Sequence, residues 1–398
     1  MRAAMSSFDV IVIGAGVIGC STAYHLAALG AGRVLLLERE QVGNGTGAQS
    51  SGILRTHYSV PQNVELARRS WSVFTDFAAY LDDPEASAGL VRCGYLICAP
   101  EGGRLAPLRA ALEAQRAQGI AVQVLDAQEA AARLPIARFD DAALIGFEPE
   151  AGFADAYLTA TGFARAARRR GVRLLEGVDV QGLRREGARV VGVDTTAGRF
   201  DAGVVVSAQN IWAAALARWT GIDVPLAAER HRVLALAGPL PYTPAMPVFK
   251  DLGSRGMLYA RSYGGTQMLV SEGTGGEVLA VPDTRQGEIP MDFVVDVGEQ
   301  VAGRFPRYAE AGLASSWTGV YDVTPDWNPV LGPVPEVPGL LLAFGFSGHG
   351  FKLSPVVGRV LAQAALGLPT EVSLAPYALD RFRGGRLLRG AYGAGAVS

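Results

Sequence analysis

Lysine is almost missing from this 398-residue chain: Lys250 and Lys352 stand against 34 arginines, the 36 basic residues less two. Cysteine is nearly as scarce. Cys20, Cys93 and Cys98 are too few and too oddly numbered for a disulfide framework, which predicts a reducing compartment. No histidine lies near enough to Cys93 and Cys98 to complete a zinc pattern, so no metal site is expected. Net charge is small as well. The 36 basic and 38 acidic residues nearly cancel, and only Arg168-Arg169-Arg170 forms a basic run, which argues against nucleic-acid binding. A clean apolar span is also lacking: Val10 to Gly32 carries no formal charge, but His25 and glycines 14, 16, 19, 30 and 32 divide it. With only Arg2 ahead of it in Met1 to Ser7, neither a membrane span nor a signal peptide is expected, and a soluble cytoplasmic protein is the default.

What is present is apolar and rich in glycine. Hydrophobic residues make up 49% and charged residues 19%, which excludes an extended disordered chain, and the length suits two or three domains. The 50 glycines include some placed where backbone must turn sharply or approach a ligand.

The first unit reads strand, tight turn, helix, strand. Phe8 to Ile13 is β-branched and apolar on both faces, as a buried parallel strand should be. Gly14-Ala15-Gly16-Val17-Ile18-Gly19 follows, then a helical pattern through Ile18, Thr22, Leu26 and Leu29 that Gly30 and Gly32 end. Val34 to Leu37 is a second strand, delivering Glu38. Val64, Ala67, Trp71, Phe74, Ala78 and Leu81 predict one amphipathic helix, and Leu105 to Gln118 another. The α/β style returns with a helix ending at Arg168 to Arg170, a strand at Val172 to Glu176 and a small meander over 189–206. Residues 220–315 read as strands and loops of a second domain, and Gly339 to Phe344 as a buried strand before an apolar helix from Val356 to Leu366.

A dinucleotide pyrophosphate needs backbone N–H donors at close range and the positive end of a helix. Gly14 permits the turn, Gly16 lets backbone reach phosphate, and Gly19 lets the helix pack on the strand. Glu38, at the end of the second strand, suits a ribose diol and disfavours a ribose 2′-phosphate. These residues leave FAD and NAD both open.

Blocks 8–60, 150–212 and 316–366 resemble the family of FAD-dependent amine oxidoreductases that includes D-amino acid oxidase, glycine oxidase, sarcosine oxidase and dimethylglycine dehydrogenase. Gly345-Phe346-Ser347-Gly348-His349-Gly350-Phe351-Lys352 is most similar to the sarcosine oxidase branch. The resemblance implies an α/β fold: a Rossmann-like, glutathione-reductase-like FAD-binding domain (1–80, 150–215 and 316–398). It is interleaved with an α+β substrate domain on an antiparallel sheet (81–149 and 216–315). It implies FAD contacts from Gly14, Gly16, Val17, Ile18, Gly19, Glu38 and Arg39, and from Gln49, Ser50, Ser51 and Gly52 in a glycine-rich loop. Val180 would meet adenine, and Gly348, His349, Gly350, Phe351 and Lys352 would surround the flavin. Two departures stand out. Ser207-Ala208-Gln209-Asn210 replaces a glycine ending, and Gly319 occupies the place of the cysteine that tethers flavin in some members, which implies non-covalent FAD.

The resemblance also implies a substrate site. Lys352 and Arg55 would hold a carboxylate, Tyr259 would contact substrate with Tyr321 nearby, and His57 and His231 are acid–base candidates. The reaction implied is hydride transfer from the carbon beside a neutral amine to flavin N5. Gln267-Met268-Leu269-Val270 lacks the lysine that promotes reaction with oxygen in sarcosine oxidase, which leans toward an electron carrier or a partner subunit rather than oxygen as acceptor. Two rivals remain: a flavin-dependent dehydrogenase of hydroxy compounds such as glycerol 3-phosphate, and an electron-relay subunit of a larger complex.

Overall fold

A computed structural model describes residues 6–238, 245–285 and 287–390. The outermost ends of the expected cofactor domain, 1–5 and 391–398, lie outside the described residues. Strand Ser6–Ile13 is the centre of an eight-stranded sheet, parallel to Val34–Leu37 on one side and to Gly198–Ser207 on the other. Arg173–Leu175 extends the sheet beyond Val34–Leu37. The far edge of Gly198–Ser207 is shared. Its first residues pair antiparallel with Arg189–Thr195, and its last pair in parallel with Leu340–Phe344.

Continuous apolar strands need two cores. Val10, Val12, Val34 and Leu36 face one cluster, containing the helices Val17–Ala28, Ala156–Arg169 and Gly350–Ala365. Ile11, Ile13, Leu35 and Leu37 face the other, under the meander of Val180–Glu186 and Arg189–Thr195. This period-two division explains why the strands read as unbroken hydrophobic text.

The second sheet has nine strands and is mostly antiparallel. Ala227–Ala237 is flanked by Gln267–Ser271 and by Gly312–Val323, and the order continues through Tyr259–Tyr263 and Val248–Asp251 to Tyr95–Ala99. Segments 95–148 and 227–323 therefore build one sheet although the chain leaves it between them. Ile53–Leu54, Gly152–Phe153 and Val91–Arg92 form a separate three-stranded sheet with Gly152–Phe153 in the middle.

The expected boundary at 316 lies within Gly312–Val323, a strand that pairs with Ala227–Ala237 through Val323. Two expectations need correction. The helix expected over 64–81 is two helices, Pro61–Thr75 and Phe77–Leu81, broken where Asp76 adopts φ −131° and ψ 42°. The last helix begins at Gly350 rather than Val356. Pro355 lies inside it, and the single backbone bond a proline forfeits is tolerated in this tightly packed second turn.

Candidate active site

The turn after the first strand is shaped by what its glycines touch. Gly14 sits at φ +96°, and a Cβ there would lie 2.6 Å from the carbonyl oxygen of Ala208. At Gly19 a Cβ would lie 1.8 Å from the Gly14 carbonyl oxygen, so helix and strand approach as closely as backbone allows. Gly16 differs: nothing lies within 4 Å of its Cβ position, which opens on the cleft. The first turn of Val17–Ala28 thus offers orphan N–H groups to that space. Glu38 closes the turn. Its Oε2 accepts from the Ala15 N–H at 2.7 Å and its Oε1 from the Glu40 N–H at 2.9 Å. Arg39 lies beside it with its guanidinium 3.7 Å from the centroid of Trp212, and Val178 to Val180 form the adjoining wall.

The opposite end of the same cleft is the turn Gly345 to Gly350. Gly345, Ser347 and Gly348 all have positive φ, at 74°, 49° and 83°. Asp322 holds them. Its Oδ2 accepts from the Gly345 N–H at 2.6 Å and its carbonyl from the Ser347 N–H at 3.0 Å. Burial pushes the Asp322 carboxyl up to about 6, while bonds from the turn's N–H groups and the Asn210 side chain favour its ionised form. Gly350 and Phe351, in the first turn of the last helix, line the cleft with Gly348. Negative charge on a ligand there would meet the positive end of a helix.

The donor set fits FAD. The Gly16 opening would take phosphate, and Glu38 stands where a ribose hydroxyl can bond. Gln49 Oε1 and Asn210 Oδ1 are buried without a hydrogen-bond partner although both residues line the cleft. Of the residues expected to contact the cofactor, Gly14, Gly16, Val17, Ile18, Glu38, Arg39, Gln49, Ser50, Val180, Gly348, Gly350 and Phe351 line it. Gly19 packs beneath the turn, and Gly52 is turned against the Ala154 carbonyl. His349 is buried, its ring stacked on Tyr58 with 5.1 Å between centroids.

Ser50, Tyr321, Gly348 and Phe351 also line a second, smaller pocket, so the two spaces share a wall. Ser51, Arg55, Tyr95, Lys250, Tyr259 and Lys352 complete it with Ile53. Arg55 and Lys352 flank one ring, Tyr58, at 5.0 and 5.9 Å from its centroid. The Arg55 guanidinium also bonds the His57 carbonyl. Burial, reinforced by Arg55 and Lys250, holds Lys352 well below the usual lysine range. Tyr321 and Tyr259 share a side-chain hydrogen bond. Behind Arg55, Glu148 accepts from the N–H and the Oγ1 of Thr56 at 2.7 and 2.8 Å, and burial pushes it up to about 7.

Both histidine candidates stand behind the walls. His57 bonds Gln115 at 2.8 Å and is held near 3 by burial and Arg55, and His231 stacks on Tyr321 at 4.1 Å and is held near 4 by burial. Sequence reasoning missed Lys250, Tyr95, Trp212 and Asp322. For Lys250 a signal existed, since the scarcity that singled out Lys352 applies equally to the other lysine.

Known proteins resemble this chain in sequence and in fold. The family model described as FAD dependent oxidoreductase matches residues 9–364. Mitochondrial sarcosine dehydrogenase of Homo sapiens is 29% identical over 388 residues, covering 95% of this chain and 42% of the relative, so the chain spans less than half of that protein's length. Sarcosine oxidase subunit beta of Arthrobacter sp is 27% identical, covering 98% of this chain and 95% of the relative. The crystal structure of L-proline dehydrogenase from P. horikoshii superposes with a TM-score of 0.88 at 24% identity, covering 96% of this chain and all of that one, which establishes the shared fold.

Proposed function

The chain belongs to the family of FAD-dependent oxidoreductases, and from that premise we propose that it oxidises the C–N bond of a small amino acid or secondary amine, of the sarcosine, glycine or proline kind, to an imine. One observation carries the reading: the pocket holding Arg55 and Lys352 shares Ser50, Tyr321, Gly348 and Phe351 with the dinucleotide cleft. A carboxylate anchored by those cations would lie against the flavin end of that cleft.

FAD, when bound, supplies the acceptor for the hydride equivalent that leaves the carbon beside the amine. The protein's own residues position and enclose. Arg55 offers a planar fork to the carboxylate and Lys352 a second positive charge. Tyr259, tied to Tyr321, forms the wall that fixes the amine's orientation. In the cleft, Gly14, Gly16, Val17 and Ile18 would cradle pyrophosphate, Glu38 the ribose and Val180 the adenine. Gly319, set against Gln49, supports non-covalent attachment, and three free cysteines suit a reducing, cytoplasmic setting. A relative named as a subunit supports a partner chain that receives the electrons, with oxygen as the alternative acceptor. Among the described residues no helix is long and apolar enough to cross a membrane, and no cluster of side chains could hold a metal ion.

Anaerobic mixing of the FAD-loaded protein with a panel of amino acids and N-methylated amines tests this. Loss of the visible flavin band on adding an amine is the expected result. Loss only with hydroxy acids or glycerol phosphates overturns it. Acid precipitation should leave all the flavin in solution.

A further inference from the structure

Lys250 lies outside everything assigned above. It is 4% exposed, on Val248–Asp251, directly opposite Tyr259 in the neighbouring strand, with its ammonium 5.7 Å from that ring's centroid. Gly273 makes room for it: a Cβ there would lie 2.1 Å from Lys250 Nζ. The strand's alternation sends the next residue, Asp251, the other way, into a bond with Arg304 at 2.9 Å. Lys250 thus projects into the pocket without the acid beside it in sequence.

The fold gives its buried arginines oxygen partners. Arg381 bonds Asp326, Arg304 bonds Asp251 and Asp141, and Arg261 bonds the carbonyls of Ser51 and Ser262. Among the described residues neither Lys250 nor Lys352 has a carboxylate within ion-pair distance. The pocket is lined by three cations, Arg55, Lys250 and Lys352, and by no acid. Burial, with Arg55 and Arg104 nearby, holds Lys250 down at about 7, the mark of an ammonium short of counter-charge. Burying an uncompensated ammonium costs several kcal/mol, and a site retains that cost where a ligand removes it.

The three cations are not equivalent. Arg55 and Lys352 share the Tyr58 ring and form a pair suited to one carboxylate. Lys250 comes from a different sheet and stands over Tyr259. Resting on the amino-acid reading above, we propose that Lys250 seats a second carboxylate, so that the preferred substrate is an amino diacid with its amine between two acidic arms rather than a monoacid. Three basic side chains facing a pocket whose lining holds no acid match a ligand with two carboxylates better than a ligand with one.

Two redox-inert probes test this on the FAD-loaded protein. Thiodiacetate and (methylthio)acetate both replace the amine by sulfur and differ by one carboxylate, and their binding is read from the shift each causes in the flavin's visible spectrum. The expected result is at least tenfold tighter binding of thiodiacetate, as a charge-assisted bond warrants. Lys250→Met should reduce that preference to within about twofold, and Lys250→Arg should keep most of it. Equal binding of both probes by the unsubstituted protein overturns the proposal, and needs no variant to fold. So does a preference that survives Lys250→Met. If the two probes bind equally and monoacid amines bleach the flavin, only the second carboxylate falls. If neither probe binds and no amine bleaches it, the amino-acid reading falls as well.

Discussion

Asp322 reaches from the antiparallel sheet to the Gly345 N–H at 2.6 Å, so a residue of one sheet holds the turn that follows the last strand of the other and lines its cleft. Asp322→Ala removes the side-chain acceptor of the Gly345 N–H and leaves the turn with only the main-chain acceptor of the Ser347 N–H. FAD affinity should fall tenfold to a hundredfold, the worth of about 1.5–3 kcal/mol for a bond to a charged group. Flavin retained after gel filtration at graded concentrations measures it, and unchanged retention would remove Asp322 from the turn's support.

Two glycines of the first turn should separate cofactor binding from folding. Gly16→Ala places a methyl where only the cleft lies, so apo-protein stability should change by no more than about 0.5 kcal/mol while FAD binding is lost. Gly19→Ala sets a methyl 1.8 Å from a carbonyl oxygen and should prevent folding. Thermal melts with and without FAD compare them, and equal damage to the apo-proteins would contradict the assignment.

Lys250 has a pH signature. Its ordinary value of 10.5 is lowered to about 7 in the folded chain, so between those limits the unfolded chain binds a proton that the folded chain does not. Its penalty to stability is full below pH 7 and disappears above pH 10.5. Lys250→Met should therefore melt higher than the parent at pH 7 and no higher at pH 10.5. A constant difference across that range would show that Lys250 is not buried as a cation.

Arg381 and Asp326 form a buried two-pronged ion pair at 2.8 and 2.9 Å, near the C-terminal end of the described chain. Arg381→Met alone should cost about 3–5 kcal/mol, because it strands a buried carboxylate. Adding Asp326→Leu should recover most of that. Denaturant unfolding of the single and double variants decides, and a single variant as stable as the parent would count against the pair.

Much of the cofactor half was legible because its signals are local. A β-branched run, a positive-φ glycine and a helical period each depend on a few neighbouring residues, and they located Val10 to Ile13, Gly14 and the helix from Val17. The start of the last helix was not legible, since a helix that begins at Gly350 and runs through Pro355 depends on tertiary packing that no local preference records. Arg55 and Lys352 were legible only through resemblance.

The sequence by itself determined the parallel βαβ unit, the glycine turn and the acid at position 38, because backbone conformation and strand burial are written within a dozen residues. Only the tertiary structure decided that Lys250, Arg55 and Lys352 surround one pocket and that Asp322 holds the turn at Gly345. Those meetings join segments far apart along the chain. Their strength comes from burial and charge at short range in space, which no local pattern records.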